Sequence, residues 1–359
     1  MVRPTYVEID LEAIAHNVRA FKELIAPARV CTVVKADAYG HGDVPVAGAA
    51  LDAGADMLAV ALVEEGVRLR EAGIGAPILL LSEPEPGAAE DVARWDLLPT
   101  VYSHAFVAAL SQTGRSLAVH LKIDTGMHRV GAAPEQVDAL VSAVGAAPGL
   151  DLEALWTHFA VADEDPAYTR HQIERFDQVY AKHEAPVTHL ANTAGAVLFP
   201  EARRSFCRIG LGTYGLHPCA ETVSEISLIP AMRLVTHISH VQRLSAGERP
   251  SYGRVRALNG DANVVTAPVG YADGFSRALS SSGGSALIAG RRYPLAGTVT
   301  MDQIVIDVGD DEHDIGEEVV LLGAQGEEQI AAVEWAEQLG TISYEVVCSI
   351  GPRVPRRYV

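Results

Sequence analysis

Short apolar runs alternate with helical patterns over the first 210 residues of the chain. Residues 11–25 repeat apolar side chains every three or four positions, which predicts an amphipathic helix, and residues 5–10 predict a strand before it. The helical stripe consists of Leu11, Ile14, Val18, Phe21 and Ile25. Eight further strand-like runs follow from residue 30, namely VCTVVKA, MLAVA, ILLLS, LLPTVYS, AVHLKID, LEALWTHF, THLAN and SFCRIG. Helical stretches such as VEEGVRLREAG and PEQVDALVSAVG separate these runs.

The repeated strand and helix pattern predicts an α/β fold with a parallel sheet. Several runs are apolar on both faces, as parallel strands covered by helices must be. Eight such units fit a closed (β/α)8 barrel of the TIM type better than an open doubly wound sheet. We therefore assign residues 1–226 to a barrel domain. An alternative for the first strand, residues 5–10, is that it joins the next domain.

After residue 226 the pattern changes to consecutive strand-like runs separated by Gly, Asp and Ser turns. These runs include AMRLVTHISHVQRL, ANVVTAPVGY, SALIAG, QIVIDVG and EEVVLLG. One late helix, IAAVEWAEQLG, precedes the closing stretch ISYEVVCSIGPR. Residues 227–359 therefore predict a second, mainly β domain.

Composition and charge narrow the classes of function. The chain has 359 residues, 48% of them apolar, and a mean hydropathy of +0.14, so it can bury a large core. Forty-six acidic residues against 28 basic ones give a net charge of −18, which opposes binding to nucleic acid or to an anionic membrane. The N-terminal segment is acidic where a secretory peptide would be apolar, and the four cysteines form no zinc or disulfide pattern. We expect a cytoplasmic protein.

Polar residues directly after the predicted barrel strands are the first candidates for chemistry, because reactive groups of such barrels lie at the carboxyl ends of the strands. This criterion selects Lys35, Lys122, Asp124, Arg129, His158, Asn192, Thr193 and Arg208. Lysine, arginine and histidine side chains at one barrel opening would form a cationic pocket in an otherwise acidic protein. Such a pocket predicts a small anionic ligand.

The chain contains only four lysines, and two of them follow strands. Lys22 and Lys182 lie in amphipathic helical patterns, which favours solvated helix faces. Lys35 and Lys122 end strands instead. A partly desolvated lysine with cationic neighbours has a lowered pKa and can form a Schiff base with a carbonyl compound. For either lysine alone, a salt-bridged strand end is an equally good interpretation.

Two other patterns resemble binding motifs, but their context argues against that function. Gly210, Gly212 and Gly215 spell the GxGxxG of a dinucleotide-binding turn, but Pro218 follows at once and the motif comes after the eighth predicted barrel strand. These glycines suit a phosphate site at the barrel end better. His237 and His240 are three residues apart in a strand-like run, so they face opposite sides and are not expected to bind a metal.

Nine motifs along nearly the whole chain resemble those of the alanine racemases. The first is VVKADAYGHG around Lys35, which resembles the segment that binds pyridoxal phosphate. The others are LKIDTGMHRVG, THFA, ANTAGA, RIGLGTYGL, SYGR, VGYADG, TVTMDQ and ISYE, in the order of the family. The resemblance implies a barrel followed by a β-rich domain, which agrees with the pattern of apolar residues.

The resemblance implies an isomerase that interconverts L-alanine and D-alanine for peptidoglycan synthesis. Lys35 would hold pyridoxal 5'-phosphate and act as one of two opposed catalytic bases. Tyr252 matches the other base, which the partner subunit of a homodimer supplies. The external aldimine lowers the barrier to loss of the α-proton by delocalising the carbanion. Because the usual pKa of tyrosine is about 10, Tyr252 needs cationic help, for which His158 and Arg208 are candidates.

Further residues match positions around the cofactor and the substrate. The resemblance assigns the cofactor to Lys35, Tyr39, His158, Asn192, Thr193, Arg208, Gly210, Leu211 and Tyr344. Of these, Arg208 would face the pyridine nitrogen. Arg129, Met301 and Tyr271 match residues that contact the substrate or narrow the entrance. Lys122 matches a lysine that is often carbamylated and would then orient Arg129.

Three positions depart from the family pattern. Asp37 stands where Asn is frequent, His128 where Gly is frequent, and Thr193 where Ser is usual. Thr193 keeps the hydroxyl group. Asp37 adds a negative charge near Lys35, and His128 is expected to crowd the turn that presents Arg129.

Three alternatives stay open on the sequence alone. A related racemase for another amino acid would share the same architecture. A non-catalytic carrier of pyridoxal phosphate would resemble the barrel only, and the residues after 226 argue against it. A barrel decarboxylase is a further possibility, but its expected cysteine and glycine-rich motifs are missing from the sequence. For Tyr252 alone, a buried structural tyrosine is the plain alternative.

Overall fold

The chain divides into two units in a computed structural model that describes residues 3–183 and 185–359. The barrel unit consists of Glu12–Ala38 and Gly42–Ile229. The β unit consists of the segment up to Leu11, the three residues Tyr39–His41 and the segment Pro230–Val359.

Helices and strands alternate regularly through the first part of the chain. In chain order they are β1 (Tyr6–Ile9), α1 (Leu11–Ile25), β2 (Arg29–Val33), α2 (Lys35–Gly40), α3 (Asp43–Asp52), β3 (Met57–Val60), α4 (Val63–Glu71), β4 (Ile78–Leu80), α5 (Ala89–Arg94), β5 (Thr100–Val101), α6 (His104–Gln112), β6 (Leu117–Lys122), α7 (Val137–Ala146), β7 (Leu150–Trp156), α8 (Pro166–Tyr180), β8 (Val187–His189), α9 (Thr193–Leu198) and β9 (Phe206–Ile209).

Eight parallel strands, β2 to β9, form the barrel within the described residues. Four of them pair in the order β4-β3-β2-β9 and four in the order β5-β6-β7-β8. Leu98, just before β5, exchanges backbone hydrogen bonds with β4, and Arg208 of β9 donates its backbone N–H to Ala191 after β8. These bonds join the two groups of strands and close the barrel. The structure confirms the predicted (β/α)8 fold.

The β unit contains most of the remaining strands and helices. They are β10 (Met232–His237), β11 (His240–Leu244), β12 (Ala262–Ala267), α10 (Leu279–Ser282), β13 (Ser285–Ile288), β14 (Arg291–Pro294), β15 (Ile304–Gly309), β16 (Glu318–Gln325), β17 (Glu328–Ile330), α11 (Ala332–Leu339), α12 (Ser343–Cys348) and β18 (Arg356–Tyr358). One sheet has the order β14-β13-β16-β10-β1-β18, with β17 paired to β16, and a second has the order β11-β12-β15. Strand β1 thus lies between β10 and β18.

Most local predictions agree with these bounds. The helix predicted over 11–25 is α1, and its apolar stripe is buried at Ile14, Val18, Phe21 and Ile25. The late helix is α11. The run AMRLVTHISHVQRL is two strands, because the pairing changes from one sheet to the other at Ile238–Ser239. The assignment of Lys182 to a helix is wrong, since α8 ends at Tyr180.

Gly212 provides a test of how tightly the barrel unit packs. A Cβ atom at this position would lie 2.4 Å from Cε2 of Phe21 and 2.9 Å from Cγ2 of Thr193. We expect Gly212→Ala to lower the free energy of unfolding by about 1–3 kcal/mol, as overpacked cores do. Urea denaturation checks this value. The control is Gly145→Ala in α7, where a Cβ meets nothing within 4 Å; equal stability of the two variants would contradict the prediction.

Candidate active site

Lys35 lies at the carboxyl end of β2, where the backbone takes an uncommon conformation. The four residues after it, Ala36 to Tyr39, have φ angles of 53°, 54°, 51° and 53° and form a left-handed turn. Such a conformation costs about 1–2 kcal/mol per residue for L-amino acids. It persists only where surrounding contacts enforce it, which is common at functional sites.

Glu65 supplies one such contact. Its buried carboxylate accepts the backbone N–H of Ala36 at 2.7 Å. The other carboxylate oxygen accepts the N–H groups of Ala61 at 2.8 Å and Leu62 at 3.1 Å, at the start of α4. Glu65 therefore ties the backbone beside Lys35 to the loop after β3. The sequence analysis did not single out this residue, although a Glu at the third position of a helix is a recognisable capping signal.

Lys122, the last residue of β6, is a buried amine among cations. Its Nζ donates to the carbonyl oxygen of Leu81 at 3.3 Å and lies 4.3 Å from the centre of the Trp156 ring. Burial lowers the pKa of Lys122 to about 7, and the charges of Arg208, Arg129 and Lys35 add to this effect. A substantial fraction of this amine is therefore neutral near pH 7.

Arg208 of β9 is fully enclosed, and its guanidinium hydrogen bonds hold it in one orientation. Nη2 donates to the carbonyl oxygens of Thr157 at 2.9 Å and Leu190 at 2.8 Å, and Nη1 donates to that of His189 at 3.1 Å. Nη1 also lies 2.8 Å from Nδ1 of His189, and Nη2 lies 3.3 Å from Nδ1 of His158. Burial lowers the pKa of Arg208 to about 10, so it stays charged at neutral pH.

His158, just after β7, is a neutral imidazole. Burial, followed by the charges of Arg208 and Lys122, holds its pKa well below the usual value. Because an arginine only donates, Nδ1 of His158 must accept in its contact with Arg208. In a neutral imidazole the proton is then on Nε2.

Several residues around the proposed phosphate site form local hydrogen bonds. Asn192 caps helix α9, since its Oδ1 accepts the N–H of Gly195 at 2.9 Å. The hydroxyl oxygen of Thr193 accepts the N–H of Gly210 at 3.0 Å. Leu211 begins a 3-10 helix, Leu211–Tyr214, that ends at a left-handed Gly215 rather than opening a Rossmann helix. The dinucleotide-binding interpretation of GxGxxG is therefore excluded.

The turn that carries Arg129 tolerates His128 despite its conformation. His128 has a φ of 55°, which explains why glycine suits this position. The carboxylate of Asp124 accepts the N–H groups of Gly126 at 2.9 Å and His128 at 3.0 Å. Arg129 follows as an exposed residue. Asp124 thus holds the backbone of this turn in place, and crowding by the His128 side chain stays a prediction.

Tyr252 lies in the β unit and is 73% exposed. It opens a short 3-10 helix, and its carbonyl oxygen accepts the hydroxyl group of Thr298 at 2.8 Å. Ser251, which has a φ of 68°, donates its hydroxyl to the carbonyl oxygen of Thr298 at 2.5 Å. The backbone of this turn is therefore fixed, whereas the tyrosine side chain is open to solvent. The alternative of a buried structural tyrosine is wrong.

Tyr271 and Met301 lie side by side in the β unit. The N–H of Tyr271 donates to Thr300 at 3.0 Å, and the N–H of Ala272 donates to the carbonyl oxygen of Met301 at 3.1 Å. A Cβ on Gly270 would lie 2.3 Å from the carbonyl oxygen of Thr300, so only glycine allows this approach. Tyr271 and Met301 are 43% and 52% exposed, respectively.

Tyr39 and Tyr344 also meet in the β unit. Their ring centres are 6.0 Å apart, with an interplanar angle of 42°. Burial raises the pKa of Tyr39, so its hydroxyl stays protonated and can donate. Both tyrosines were assigned to one cofactor group, and the structure places them together.

The charge balance of the barrel site fits an anionic ligand. The groups that shift the pKa of Lys122 include the cations Arg208, Arg129 and Lys35, against one acid, Asp124. Among the described residues, no group of three or more His, Cys, Asp or Glu side chains could hold a metal ion. A phosphate and a carboxylate would offset the excess of cations. A parallel barrel with an amine at a strand end and this charge balance defines a barrel enzyme site for a small anionic ligand.

Comparison with known proteins identifies the particular family. Residues 9–218 match the model for the N-terminal domain of alanine racemase, and residues 231–358 match that for its C-terminal domain. The alanine racemase of Symbiobacterium thermophilum is 44% identical, with 99% of this chain and 97% of the relative covered. The chain belongs to the alanine racemase family, whose members are isomerases that depend on pyridoxal phosphate.

Solved structures of racemases have the same fold as this chain. The crystal structure of alanine racemase from E. faecalis matches with a TM-score of 0.95 and 38% identity, over 99% of this chain and 98% of that one. A histidine racemase from Leuconostoc mesenteroides matches with a TM-score of 0.91 and 29% identity, over 100% of this chain and 98% of that one.

The helices described in residues 3–183 and 185–359 are all too short or too polar to cross a membrane.

Proposed function

We propose that this protein interconverts L-alanine and D-alanine. The match to alanine racemases over nearly the full chain carries this proposal, because it includes the β unit as well as the barrel. A carrier protein that resembles the barrel alone is disfavoured by the same observation. The role in supplying D-alanine for peptidoglycan and the cytoplasmic location remain predictions.

Lys35 would hold the cofactor through its amine. Bound pyridoxal phosphate supplies a conjugated system that accepts electrons from the Cα–H bond of an amino acid. The phosphate would be held by the hydroxyl and backbone groups of Tyr39, Thr193, Gly210, Leu211 and Tyr344. The hydroxyl group of Tyr39 stays protonated, which suits a donor to phosphate.

Racemisation needs a proton donor and acceptor on each face of Cα. We assign one face to Nζ of Lys35 and the other to the phenolic oxygen of Tyr252. Each group acts as the base that removes the α-proton from one enantiomer. In the reverse reaction the same group acts as the acid that returns a proton to Cα. Tyrosine has a usual pKa of about 10, so cationic neighbours must stabilise its ionised form.

Arg208 and His158 would set the charge around the ring of the cofactor. Arg208 donates every hydrogen bond that it makes, and its contacts hold the guanidinium in one orientation. If Arg208 faced the pyridine nitrogen, it would disfavour protonation of that atom, because a guanidinium group only donates. The ring would then take up less negative charge, which would disfavour side reactions such as transamination.

Three residues would select the substrate. Arg129 is an exposed cation in the turn after β6 and would bind the carboxylate of the amino acid. The backbone amide of Met301 would bind the same carboxylate, and the ring of Tyr271 would narrow the entrance. The backbone bonds that join the Tyr271 and Met301 loops would keep this entrance at a fixed width.

Lys122 is suited to carbamylation. Its pKa of about 7 leaves a neutral amine that can add to carbon dioxide, releasing one proton and forming a carbamate anion. The anion would pair with Arg129 and orient it. We expect a carbamate signal in the 13C NMR spectrum after addition of 13C-bicarbonate at pH 8. The signal should weaken below about pH 7, where Nζ is protonated, and should be missing in Lys122→Met; a signal that persists in that variant would refute the assignment.

A homodimer would bring Tyr252 to the site of the second copy. The 73% exposure of this tyrosine supports the proposal, because its phenolic group is accessible to a second copy of the chain. We expect mixtures of inactive Lys35→Ala and Tyr252→Phe chains to recover part of the activity after subunit exchange. No recovery, despite heterodimers detected by native mass spectrometry, would argue against a shared site.

The decisive test of the proposed function is conversion of L-alanine in D2O. We expect D-alanine to form with deuterium at Cα, and L-histidine and L-serine to react at least about tenfold more slowly. The histidine racemase among the structural neighbours makes this comparison necessary. Faster turnover of another amino acid would assign the protein to a different racemase of the same architecture.

A further inference from the structure

A row of side chains connects Arg208 with the opposite opening of the barrel. Nη1 of Arg208 lies 2.8 Å from Nδ1 of His189, and Nε2 of His189 lies 3.0 Å from Nδ1 of His120. Nε2 of His120 lies 3.1 Å from the carboxylate of Glu153. Each of the two histidines thus uses both ring nitrogens, and both are buried.

The hydrogen bonds in this row can run in only one direction. The guanidinium of Arg208 only donates, so Nδ1 of His189 accepts. A neutral His189 then carries its proton on Nε2 and donates it to His120. His120 in turn carries its proton on Nε2 and donates it to Glu153, whose carboxylate only accepts. Burial lowers the pKa of both histidines, which is consistent with neutral rings.

Aromatic packing holds the central imidazole of the row. The ring of His189 stacks on Trp156 with centres 4.9 Å apart and on Phe206 with centres 4.2 Å apart. Arg208 packs on the same tryptophan, since its guanidinium carbon lies 4.7 Å from the centre of the Trp156 ring. The row therefore has little freedom to break and reform with other partners.

The far end of the row reaches solvent at the amino-terminal opening of the barrel. Glu153 is half-buried, with 38% of its side chain exposed. It lines a cavity of about 270 Å³ together with Arg29, Asp56, Leu117, His120 and Phe206. Four of these residues lie at or next to the first positions of β2, β3, β6 and β9. Arg208, by contrast, bonds the carbonyl groups that follow β7 and β8.

We infer that Glu153 is a positioning residue that acts on Arg208 from the opposite end of the barrel. Its carboxylate fixes the proton of His120 on Nε2, and this fixes the proton of His189 on Nε2. Nδ1 of His189 is then always available as an acceptor for Arg208. A carboxylate that fixes a histidine tautomer through its second nitrogen is a common device around metal ligands and catalytic bases. Here two imidazoles in series carry the same constraint through the barrel core.

The effect on catalysis rests on the proposed function, whereas the direction of the hydrogen bonds does not. If Arg208 faces the cofactor ring, disorder in its position should lower kcat. The KM for alanine should change little, because Arg129 rather than Arg208 is assigned to the substrate carboxylate. A smaller folded fraction would also lower the apparent kcat alone, so kcat is calculated per mole of folded, cofactor-loaded protein.

Glu153→Lys tests the inference, because an ammonium group only donates and Nε2 of His120 would then have to accept. We expect 15N NMR of histidine-labelled, cofactor-loaded protein to show His120 and His189 as Nε2–H tautomers in the parent. In Glu153→Lys the His120 signal should change to Nδ1–H, and kcat should fall about tenfold. Glu153→Gln keeps an acceptor and should retain both tautomers and at least about half of kcat. Should the lysine variant not fold, Glu153→Arg also places a group that only donates beside His120.

Asp151→Lys is the matched control, since it makes the same change of charge two residues earlier on β7, at an exposed position. It should leave the tautomers and kcat unchanged. Unchanged histidine signals in Glu153→Lys would overturn the inference. A changed tautomer with unchanged kcat would overturn the positioning role of Glu153. Failure of the parent protein to racemise alanine would instead count against the proposed function, and the NMR result would stand by itself.

Discussion

Replacing Lys35 with alanine should reduce racemisation by at least about 10³-fold. The substitution removes the amine proposed to hold the cofactor and one of the two groups that move the proton. General acid–base groups alone contribute about 10²–10⁴-fold to a rate, and loss of covalent attachment adds to this. Lys35→Arg should be equally inactive, because arginine keeps the positive charge but cannot lose its proton.

Borohydride reduction followed by peptide mapping checks the assignment of Lys35 directly. We expect the reduced cofactor on the peptide that contains Lys35 and on no other. Lys122→Met is the matched control, since it removes the second strand-end lysine and should leave the label in place. A label on Lys122, or none at all, would contradict the proposed site.

Replacing Tyr252 with phenylalanine should lower the rate of racemisation by about 10²–10⁴-fold. The ring remains, so packing changes little, but the group that removes the proton from L-alanine is lost. Because the two enantiomers are equally stable in water, the overall rate must fall equally in both directions. The rate of racemisation alone therefore cannot show which face of Cα has lost its base.

Exchange of the α-proton separates the two faces. In Tyr252→Phe we expect D-alanine to exchange its α-proton with D2O at a measurable rate through Lys35, while L-alanine exchanges far more slowly. Proton NMR of the two substrates in separate experiments gives both rates. Equal loss of exchange from both enantiomers, or racemisation at the parent rate, would remove Tyr252 from the proposed mechanism.

The barrel and its strand ends could be predicted from the sequence because parallel strands covered on both faces are continuously apolar. The runs CTVV and AVHL end at polar residues, and this alone placed Lys35 and Lys122 at strand ends, where the structure has them. The burial that lowers the pKa of Lys122 to about 7 follows from its position at the end of an interior strand. The local pattern of apolar residues therefore predicts where a residue lies along its strand.

Contacts between distant segments could not be predicted in the same way. Glu65 lies 29 positions from the Ala36 N–H that it accepts, and His120 lies 69 positions from His189. The partners of Glu65 and His120 depend on how the strands are arranged around the barrel. The local sequence pattern does not predict that arrangement. The short strands β14, β17 and β18 were missed for a related reason, because three or four residues give too little periodicity to detect.

The position of β1 has a consequence for how the protein is made. This strand is synthesised before its partners β10 and β18, which follow about 220 and 350 residues later. At about 5–20 residues per second, β1 waits for at least ten seconds for one neighbour and longer for the other. During that time its backbone N–H and C=O groups have no native sheet to join. The nascent chain therefore carries β1 as an unpaired strand while the barrel strands are being added, and translation speed should affect the yield of folded protein.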